Sequence, residues 1–373
     1  MADRDEFAGR VARARAAMSA AGVDLLLVDH AELLAWLTGY TVSETMYRAA
    51  LLPREGEPWF VLRSLDGDPC RRKTWFAEVT GFPDTADPFA VVAETIRAHG
   101  FAAARIGADF QSYAFTAHTL ARFRDLLPDA VFVDLPRVSD RLRVVKSPIE
   151  IAVLAQAAAI ADATMAAVVD AARGGISPRE ASAVAAAEFL RRGADTGEVG
   201  PIVRAAGDNE FLHGAMTDTR LGDGEILHVE LIPKVANYSA RLMRPILIGR
   251  DPGGLEEAAQ TLIALQDRQI AAMRPGVRAR EVDAILREGV LGQGLRAIYD
   301  NVTGYTLGLY GRTPRTSDFS FVFLPDAEWR LEEGMVFHMY ASAGGLGFSE
   351  TVAVGPEGGR RLTQAPRRLL ISG

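Results

Sequence analysis

The segment LGDGEILHVE, residues 221–230, returns in altered form as LEEGMVFHMY, residues 331–340. Leucine, glycine and histidine occupy the same offsets in both, and each segment leads from a polar turn into a strand-like run. A second pair precedes them in the same order, GISPREASAVAAAEFLRRGA from Gly175 and GVRAREVDAILREGVLGQGL from Gly276. In each of these, a glycine and a branched residue precede Arg-Glu and a predicted helix. Two matches in the same order predict a duplicated α/β half-domain.

Glu230 and Tyr340 close the two repeated segments and correspond to each other. Two copies packed about a pseudo-twofold axis would turn both side chains towards a shared cleft, so the duplication predicts an active site there. His228 and His338 also correspond. We interpret them as structural residues that point to the face opposite the neighbours of Glu230 or lie just behind the cleft.

Charged residues interrupt an apolar hairpin in HVELIPKVANYSARLMRP, residues 228–245. The first half alternates apolar and polar residues as a half-buried strand does, and residues 233–237 supply the reversal. Glu230 and Arg241 therefore fall where the pattern predicts core. The two residues either pair with each other or form the floor of a site, and both can hold together.

The composition is that of an ordinary soluble protein with two domains. A chain of 373 residues is too long for one core, and 49% hydrophobic with 24% charged residues is a typical balance. The net charge of −7 argues against a nucleic-acid partner. Cys70, the single cysteine, excludes an internal disulfide and fits a reducing compartment. The charged N-terminal stretch is neither a signal peptide nor a membrane span in pattern, so we expect a cytoplasmic protein without a membrane partner.

Residues 1–140 are predicted to form an α/β domain, because helices and strands alternate along them. The predicted segments are residues 1–20 (helix), 23–29 (strand), 49–62 (hairpin), 91–100 (helix), 105–109 (strand), 113–128 (helix) and 130–135 (strand). A long alanine-rich helix follows, with Ser147 as N-cap, Pro148 in the first turn and Glu150 completing a capping box. The boundary therefore lies near residues 140–147, and residues 141–373 form the duplicated domain.

The chain resembles the creatinase, prolidase and aminopeptidase P family along nearly its whole length. The motifs that carry the resemblance are LLAWLTGY (33–40), LRVVKSPIEI (142–151), LHGAMTDTRLGDGEILHVE (212–230), NYSARLMRP (237–245), TGYTLGLYGR (303–312) and LEEGMVFHMYASA (331–343). The resemblance implies an α+β chain with a creatinase-type N-terminal α/β domain. A C-terminal pita-bread domain would follow, in which duplicated α/β halves surround a curved antiparallel sheet. It also implies a homodimer.

The residues at the metal-binding positions of this family differ here. The peptidases of the family hold two divalent metals with two aspartates, one histidine and two glutamates. The corresponding residues are, in that order, Glu230, Arg241, Tyr305, Tyr340 and Ser349. A dinuclear site needs several carboxylate oxygens, and Arg241 adds positive charge where a bridging anion should lie. We therefore expect no metal and no other cofactor; Glu350, beside Ser349, could replace a lost ligand only after a shift in strand register.

Some members of the family, such as creatinase and ectoine hydrolase, work without metal and use a histidine for proton transfer. His213 matches that histidine by its spacing to the Leu-x-x-Gly motif. Arg312 resembles the arginine of creatinase that holds the substrate carboxylate, and Arg48 falls near the arginine that its N-terminal domain contributes across the dimer. The guanidinium-binding glutamates of creatinase fall on Met243 and Tyr340, so creatine is a poor candidate. The resemblance implies a pocket that prefers an anion.

These residues predict a metal-independent enzyme that hydrolyses a non-peptide C–N bond, such as an amidine, cyclic amidine or lactam. The substrate would be a small amino-acid derivative with a carboxylate. His213 would be the general acid and base, Glu230 an orienting carboxylate, and Tyr305 and Tyr340 polarising donors. The predicted substrate-binding residues are Arg48, Phe211, Arg241, Met243 and Arg312.

Two other functions stay open from the sequence. A biosynthetic enzyme could use the same cleft for cyclisation, elimination or isomerisation instead of hydrolysis. A pita-bread domain without metal could also be an inactive binding module, although the ionisable residues in both halves of the duplication argue against a pure scaffold. The two tyrosines could equally fill the space that metals leave.

Overall fold

The computed structural model describes residues 4–41, 45–311 and 320–372. The chain divides into two compact units, residues 1–143 and 144–373. The elements of the first unit are α1 (Arg4–Ala21), β1 (Leu25–Val28), α2 (Ala31–Thr38), β2 (Ala49–Pro53), β3 (Trp59–Arg63), α3 (Ser64–Arg71), β4 (Glu78–Phe82), α4 (Pro88–Ala98), β5 (Arg105–Ala108), α5 (Ala117–Leu126), β6 (Val131–Asp134) and α6 (Val138–Arg141).

A six-stranded sheet in the order β4-β3-β2-β1-β5-β6 forms the first unit. Strand β2 is antiparallel to both neighbours, whereas the other pairs are parallel. The predicted hairpin is therefore present as β2 and β3. The predicted N-terminal helix is present as α1, and its buried residues lie on one face, namely Arg10, Val11, Ala14 and Met18. The helix predicted from residue 113 begins later, at Ala117, because the Thr116 side chain accepts the Thr119 N–H and caps it there.

The second unit contains the duplicated halves around one large sheet. Its elements are α7 (Pro148–Ala171), α8 (Pro178–Arg191), β7 (Ile202–Arg204), β8 (Ile226–Leu231), β9 (Lys234–Val235), β10 (Tyr238–Ser239), β11 (Leu242–Ile248), α9 (Leu255–Ala271), α10 (Ala279–Gly292), β12 (Gly304–Thr306), β13 (Val336–Ala343), β14 (Leu346–Val354), β15 (Gly359–Arg361) and β16 (Leu370–Ser372). The sheet has eight strands, in the order β12-β13-β14-β11-β8-β7, with β15 beside β14 and β16 beside β11.

Helices α7 and α8 begin at the predicted capping boxes. Ser147 and Ser177 each accept the backbone N–H of the glutamate three residues on, and each glutamate reaches back to the serine N–H. Among the residues that the structure describes, α7 is the one helix long and apolar enough to cross a membrane. Its buried residues, such as Ala161 and Met165, lie in the hydrophobic core with β8 and β11, as expected for a core helix.

The backbone of the two halves repeats in detail. Gly175 and Gly276, which precede the second helix of each half, have φ angles of 87° and 85°. Gly224 and Gly334, which lie two residues before the equivalent strands β8 and β13, have φ angles of 81° and 86°. All four lie in the left-handed region that favours glycine, so the glycines of the sequence repeat mark matching turns.

Candidate active site

One face of the large sheet packs on the helices, and the opposite face carries the candidate site. Val229 of β8 lies in the core with α7 and α8, and Ala341 of β13 lies in the core with α9 and α10. Because side chains alternate along a strand, Glu230 and Tyr340 lie on the face away from these helices. The predicted correspondence of the two residues therefore holds in three dimensions.

Strand register brings four predicted positions into one row across the sheet. Glu230 of β8 is opposite Met243 of β11, Met243 is opposite Ser349 of β14, and Ser349 is opposite Tyr340 of β13. Residues directly opposite on neighbouring strands share a face and lie side by side. Both ends of the row carry polar groups, and buried Met243 provides an apolar segment between them.

Arg241 joins Glu230 to Tyr305. It follows the small β9–β10 hairpin, whose turn residues Ala236 and Asn237 have positive φ angles. Its Nη1 donates hydrogen bonds to Oε1 of Glu230 and, over 2.6 Å, to the hydroxyl of Tyr305. Glu230 and Arg241 therefore pair with each other, on the face of the sheet that also carries Tyr340, and their contact with a substrate stays a prediction.

Burial sets the electrostatics of this pair. Glu230 is 2% exposed, and burial raises the pKa of its carboxyl group, although the charges of Arg241 and His213 act in the opposite direction. Burial acts to lower the pKa of Arg241, but Tyr305 and Glu230 outweigh it, so this pKa is raised. Burial and the neighbouring cation therefore act on the Glu230 carboxyl group in opposite directions.

The sequence analysis missed Asn301, which contacts Tyr340 directly. Asn301 Nδ2 donates to the Tyr340 hydroxyl over 3.1 Å, and its Oδ1 accepts from Arg296 Nη1 over 2.9 Å. Burial raises the pKa of Tyr340, so this phenol stays protonated at neutral pH. Asn301 lies two residues before the TGYTLG motif, which contains Tyr305. This nearness to a predicted site residue was the one signal in the sequence that could have identified Asn301.

The paired histidines, His228 and His338, are fully buried on the face of the sheet that carries Glu230 and Tyr340. His228 and His338 lie two residues before Glu230 and Tyr340, and an offset of two returns a strand to the same face. His338 packs against the rings of Tyr340 and Tyr305, with centroids 5.2 and 5.0 Å away. Both ring nitrogens of each histidine are buried without a hydrogen-bond partner among the described residues.

Burial keeps both imidazoles neutral. It lowers the pKa of His228 to about 3, and it lowers that of His338 well below its usual value, with the charge of Arg241 adding to the effect. Phe211 covers His228, with ring centroids 4.8 Å apart. Phe211 is therefore buried against His228, and its predicted contact with substrate stays a prediction.

Glu350 faces away from the site. It accepts hydrogen bonds from Arg244 Nη2, over 2.7 Å, and from the Thr363 hydroxyl. Arg244 and Glu350 are fully buried, and Arg244 also donates to the backbone carbonyls of Met243 and Ser349. The Arg244–Glu350 pair stabilises the strands on the face of the sheet that packs against the helices. Glu350 therefore does not replace the metal ligand that is lost at Ser349.

His213 ends a 3₁₀ turn, Glu210–His213, and is exposed to solvent. It lies close enough to Glu230 for a charge on the imidazole to lower the pKa of that carboxyl group. Arg48 belongs to the first unit, at the start of β2, where it is 4% exposed and acts electrostatically on Asp29. Arg312 lies outside the described residues, so its predicted role stays a prediction.

The side chains at the family's metal positions do not fit a dinuclear metal centre. The Arg241 guanidinium holds Glu230, the one carboxylate among those positions, and a phenol occupies the place of the histidine. Within the part of the chain that the structure describes, no group of three or more His, Cys, Asp and Glu residues could hold a metal ion. Hard divalent ions need several oxygen ligands with negative charge, and this cluster supplies one carboxylate already paired with a cation.

A creatinase-type α/β unit followed by a duplicated pita-bread unit defines the class of fold. The chain belongs to metallopeptidase family M24, because residues 152–356, more than half of its length, match that family. Residues 10–145 match the creatinase/prolidase N-terminal domain. The predicted family and fold class are therefore confirmed.

Named relatives differ in activity. Ectoine hydrolase of Halomonas elongata is 25% identical over 400 aligned residues, covering 99% of this chain and 98% of that protein. An Xaa-Pro dipeptidase of Pyrococcus furiosus is 28% identical over 248 residues, covering 64% of this chain and 68% of that protein. The solved structure of an Xaa-Pro dipeptidase from Bacillus anthracis superposes with a TM-score of 0.84 at 20% identity, covering 98% and 99% of the two chains.

Proposed function

We propose that this protein is a metal-independent hydrolase that cleaves a non-peptide C–N bond in a small amino-acid derivative carrying a carboxylate. Family membership and the full-length similarity to ectoine hydrolase support the coarser part of the proposal, a C–N hydrolase of family M24. The finer part rests on the side chains that replace the metal ligands.

The hydrogen-bonded chain from Glu230 through Arg241 to Tyr305 carries the proposal. In a metal-dependent enzyme, cations would neutralise the charge that develops in the transition state and would activate water. Here a fixed guanidinium lies among those positions, and its charge is already balanced by Glu230. The remaining tasks fall to groups that donate or transfer protons.

His213 is the proposed general acid and base. It is exposed and acts on the charge of Glu230, so substrate and water can reach it at the edge of the charged cluster. A water molecule would lose its proton to the imidazole as its oxygen bonds to the amidine or lactam carbon. The imidazolium would then return a proton to the leaving nitrogen as the C–N bond breaks.

Tyr340 and Tyr305 are the proposed hydrogen-bond donors to the heteroatom of the scissile group. Their rings lie 6.0 Å apart, centroid to centroid, at an angle of 65°. Tyr305 accepts from Arg241 and Tyr340 accepts from Asn301, and each acceptor bond polarises the phenol and strengthens it as a donor. Two fixed donors suit a neutral amide or amidine whose heteroatom gains negative charge during attack.

Substrate choice and metal dependence are tested together with a small panel. Ectoine is a cyclic amidine with a carboxylate, pyroglutamate is a lactam with a carboxylate, and alanyl-proline represents the dipeptidase relatives. We expect turnover of a ring compound that is unchanged after chelation and after addition of Mn²⁺ or Zn²⁺. Cleavage of alanyl-proline that depends on added metal would contradict the proposal.

Replacement of His213 tests its role. His213→Ala should lower turnover on the order of a hundredfold or more, because general acid–base catalysis contributes about that much. Because the side chain is exposed, the thermal midpoint should stay near that of the wild type. Turnover of the variant near the wild-type value would remove His213 from the mechanism.

The non-hydrolytic alternative is separated by isotopic labelling. Hydrolysis in heavy-oxygen water must place one solvent oxygen in the product, whereas cyclisation, elimination and isomerisation need not. Mass spectrometry of the product with and without the label decides between them. A product formed by the enzyme without label would favour the biosynthetic activity on the same residues.

A further inference from the structure

Asn301 connects a buried arginine to the phenol of Tyr340. Its amide nitrogen donates to the Tyr340 hydroxyl over 3.1 Å and to the carbonyl of Val302, also over 3.1 Å. Its amide oxygen accepts from Arg296 Nη1 over 2.9 Å. Arg296 is 4% exposed, and Asn301 is half-buried.

Arg296 fixes which way the Asn301 amide points. A guanidinium has only donors, so the atom of Asn301 that faces Arg296 must be the oxygen. The amide nitrogen therefore faces Tyr340, and the Tyr340 oxygen is the acceptor in that bond. A phenol that accepts in one direction keeps its own proton for another direction.

We propose that Asn301 is a positioning residue that makes the Tyr340 hydroxyl a hydrogen-bond donor to the substrate. Among the residues that the structure describes, no hydrogen bond gives the phenolic proton of Tyr340 an acceptor. Because the Asn301 amide donates to the Tyr340 oxygen, the phenolic proton of Tyr340 points away from Asn301. Tyr340 lies on the face of the sheet that carries Glu230. This inference rests on the proposed function, in which Tyr340 polarises the scissile group.

The same amide links Tyr340 to the turn that carries His213. Asn209, which directly precedes the 3₁₀ turn Glu210–His213, donates over 3.4 Å to Oδ1 of Asn301 and to Asp300. These bonds are long and weak. They nevertheless connect Asn301 to the residue that directly precedes the turn ending at His213.

Asn301→Asp tests the inference, because it preserves shape and reverses the hydrogen bond to Tyr340, while the bond to the Val302 carbonyl is lost. An aspartate can still accept from Arg296, but its second oxygen can only accept, so the Tyr340 proton turns towards residue 301 and away from the substrate. The first measurement is the tyrosine doublet in ultraviolet resonance Raman spectra, which distinguishes a phenol that donates from one that accepts. Subtracting the spectrum of Tyr340→Phe isolates Tyr340 from the other tyrosines.

We expect the Tyr340 signal to change from acceptor to donor character in Asn301→Asp. An unchanged signal would overturn the inference whatever reaction the enzyme catalyses, so its failure is separate from that of the proposed function. Gln260→Glu, an exposed amide-to-acid change on α9, is the matched control and should leave the Tyr340 signal as in the wild type.

Turnover provides the second measurement, on the panel compound that the wild type hydrolyses. Asn301→Asp should lower kcat about as much as Tyr340→Phe does, and the double variant should be no slower than Tyr340→Phe alone. Gln260→Glu should retain wild-type kcat. Additive losses, or full activity of Asn301→Asp once the Raman signal has changed, would show that the substrate does not use the Tyr340 proton.

Discussion

The two halves of the pita-bread unit share a backbone and differ in chemistry. Both have a glycine with positive φ two residues before their central strand, and both place a buried histidine two residues before the site residue. The first half then presents Glu230, paired with Arg241, whereas the second presents Tyr340, held by Asn301. The shared backbone of the two halves thus determines where the side chains point. The residue types at the matching positions determine whether a half presents charged groups or neutral hydrogen-bonding groups.

The charged half should respond most strongly to a single change. Arg241→Met leaves the Glu230 carboxylate buried without its cation, and breaking a buried ion pair in this way costs about 3–5 kcal/mol. Urea unfolding at neutral pH measures the loss. Glu230→Gln combined with Arg241→Met should recover most of it, because no charge then remains buried.

Tyr340→Phe is the matched change in the neutral half and should cost far less stability, since it removes no charge. A loss of less than about 1 kcal/mol for Arg241→Met would mean that the Glu230–Arg241 pair is not desolvated, since exposed pairs contribute only that much. The two halves would then differ in the positions of their side chains but not in the stability that their charges contribute.

The catalytic contrast is smaller and concerns the two phenols. Removing one fixed donor to a developing charge lowers turnover on the order of a hundredfold, so Tyr340→Phe should lower kcat by about that factor with little change in KM. Tyr305→Phe should cost more than Tyr340→Phe, because the acceptor it removes serves the charged guanidinium of Arg241, whereas Tyr340 accepts from the neutral Asn301 amide. Equal losses in steady-state kinetics would show that the Arg241–Tyr305 bond adds nothing to catalysis.

The repeat and the motif spacing predicted the fold and its matching turns, because glycine offsets and strand alternation are local properties. The same alternation, applied with an offset of two, would also have placed His228 and His338 on the site face. Asn301 could not be assigned in this way, since its role depends on Arg296 and Tyr340, which come together only in the folded chain. Pairing of Arg241 with Glu230 was one of two alternatives, and only the hydrogen-bond geometry decided it.

The buried histidines should make both halves sensitive to acid. In the unfolded chain an imidazole takes up a proton below a pKa of about 6.5, whereas folded His228 stays neutral down to a pKa of about 3. The unfolded state therefore binds more protons in this window, and each histidine lowers stability as the pH falls from 6.5 towards 3. At pH 5 the loss is about 2 kcal/mol for one such group.

His228→Leu removes this loss, so its free energy of unfolding should fall less between pH 7 and pH 5 than that of the wild type, by about 2 kcal/mol. At pH 7 the variant should be close to the wild type, because neither ring nitrogen of His228 has a partner among the described residues. His338→Leu is the matched variant in the other half, and its pKa is lowered by burial and by the charge of Arg241. A pH dependence of His228→Leu that parallels the wild type would mean that the folded imidazole takes up its proton as readily as the unfolded one.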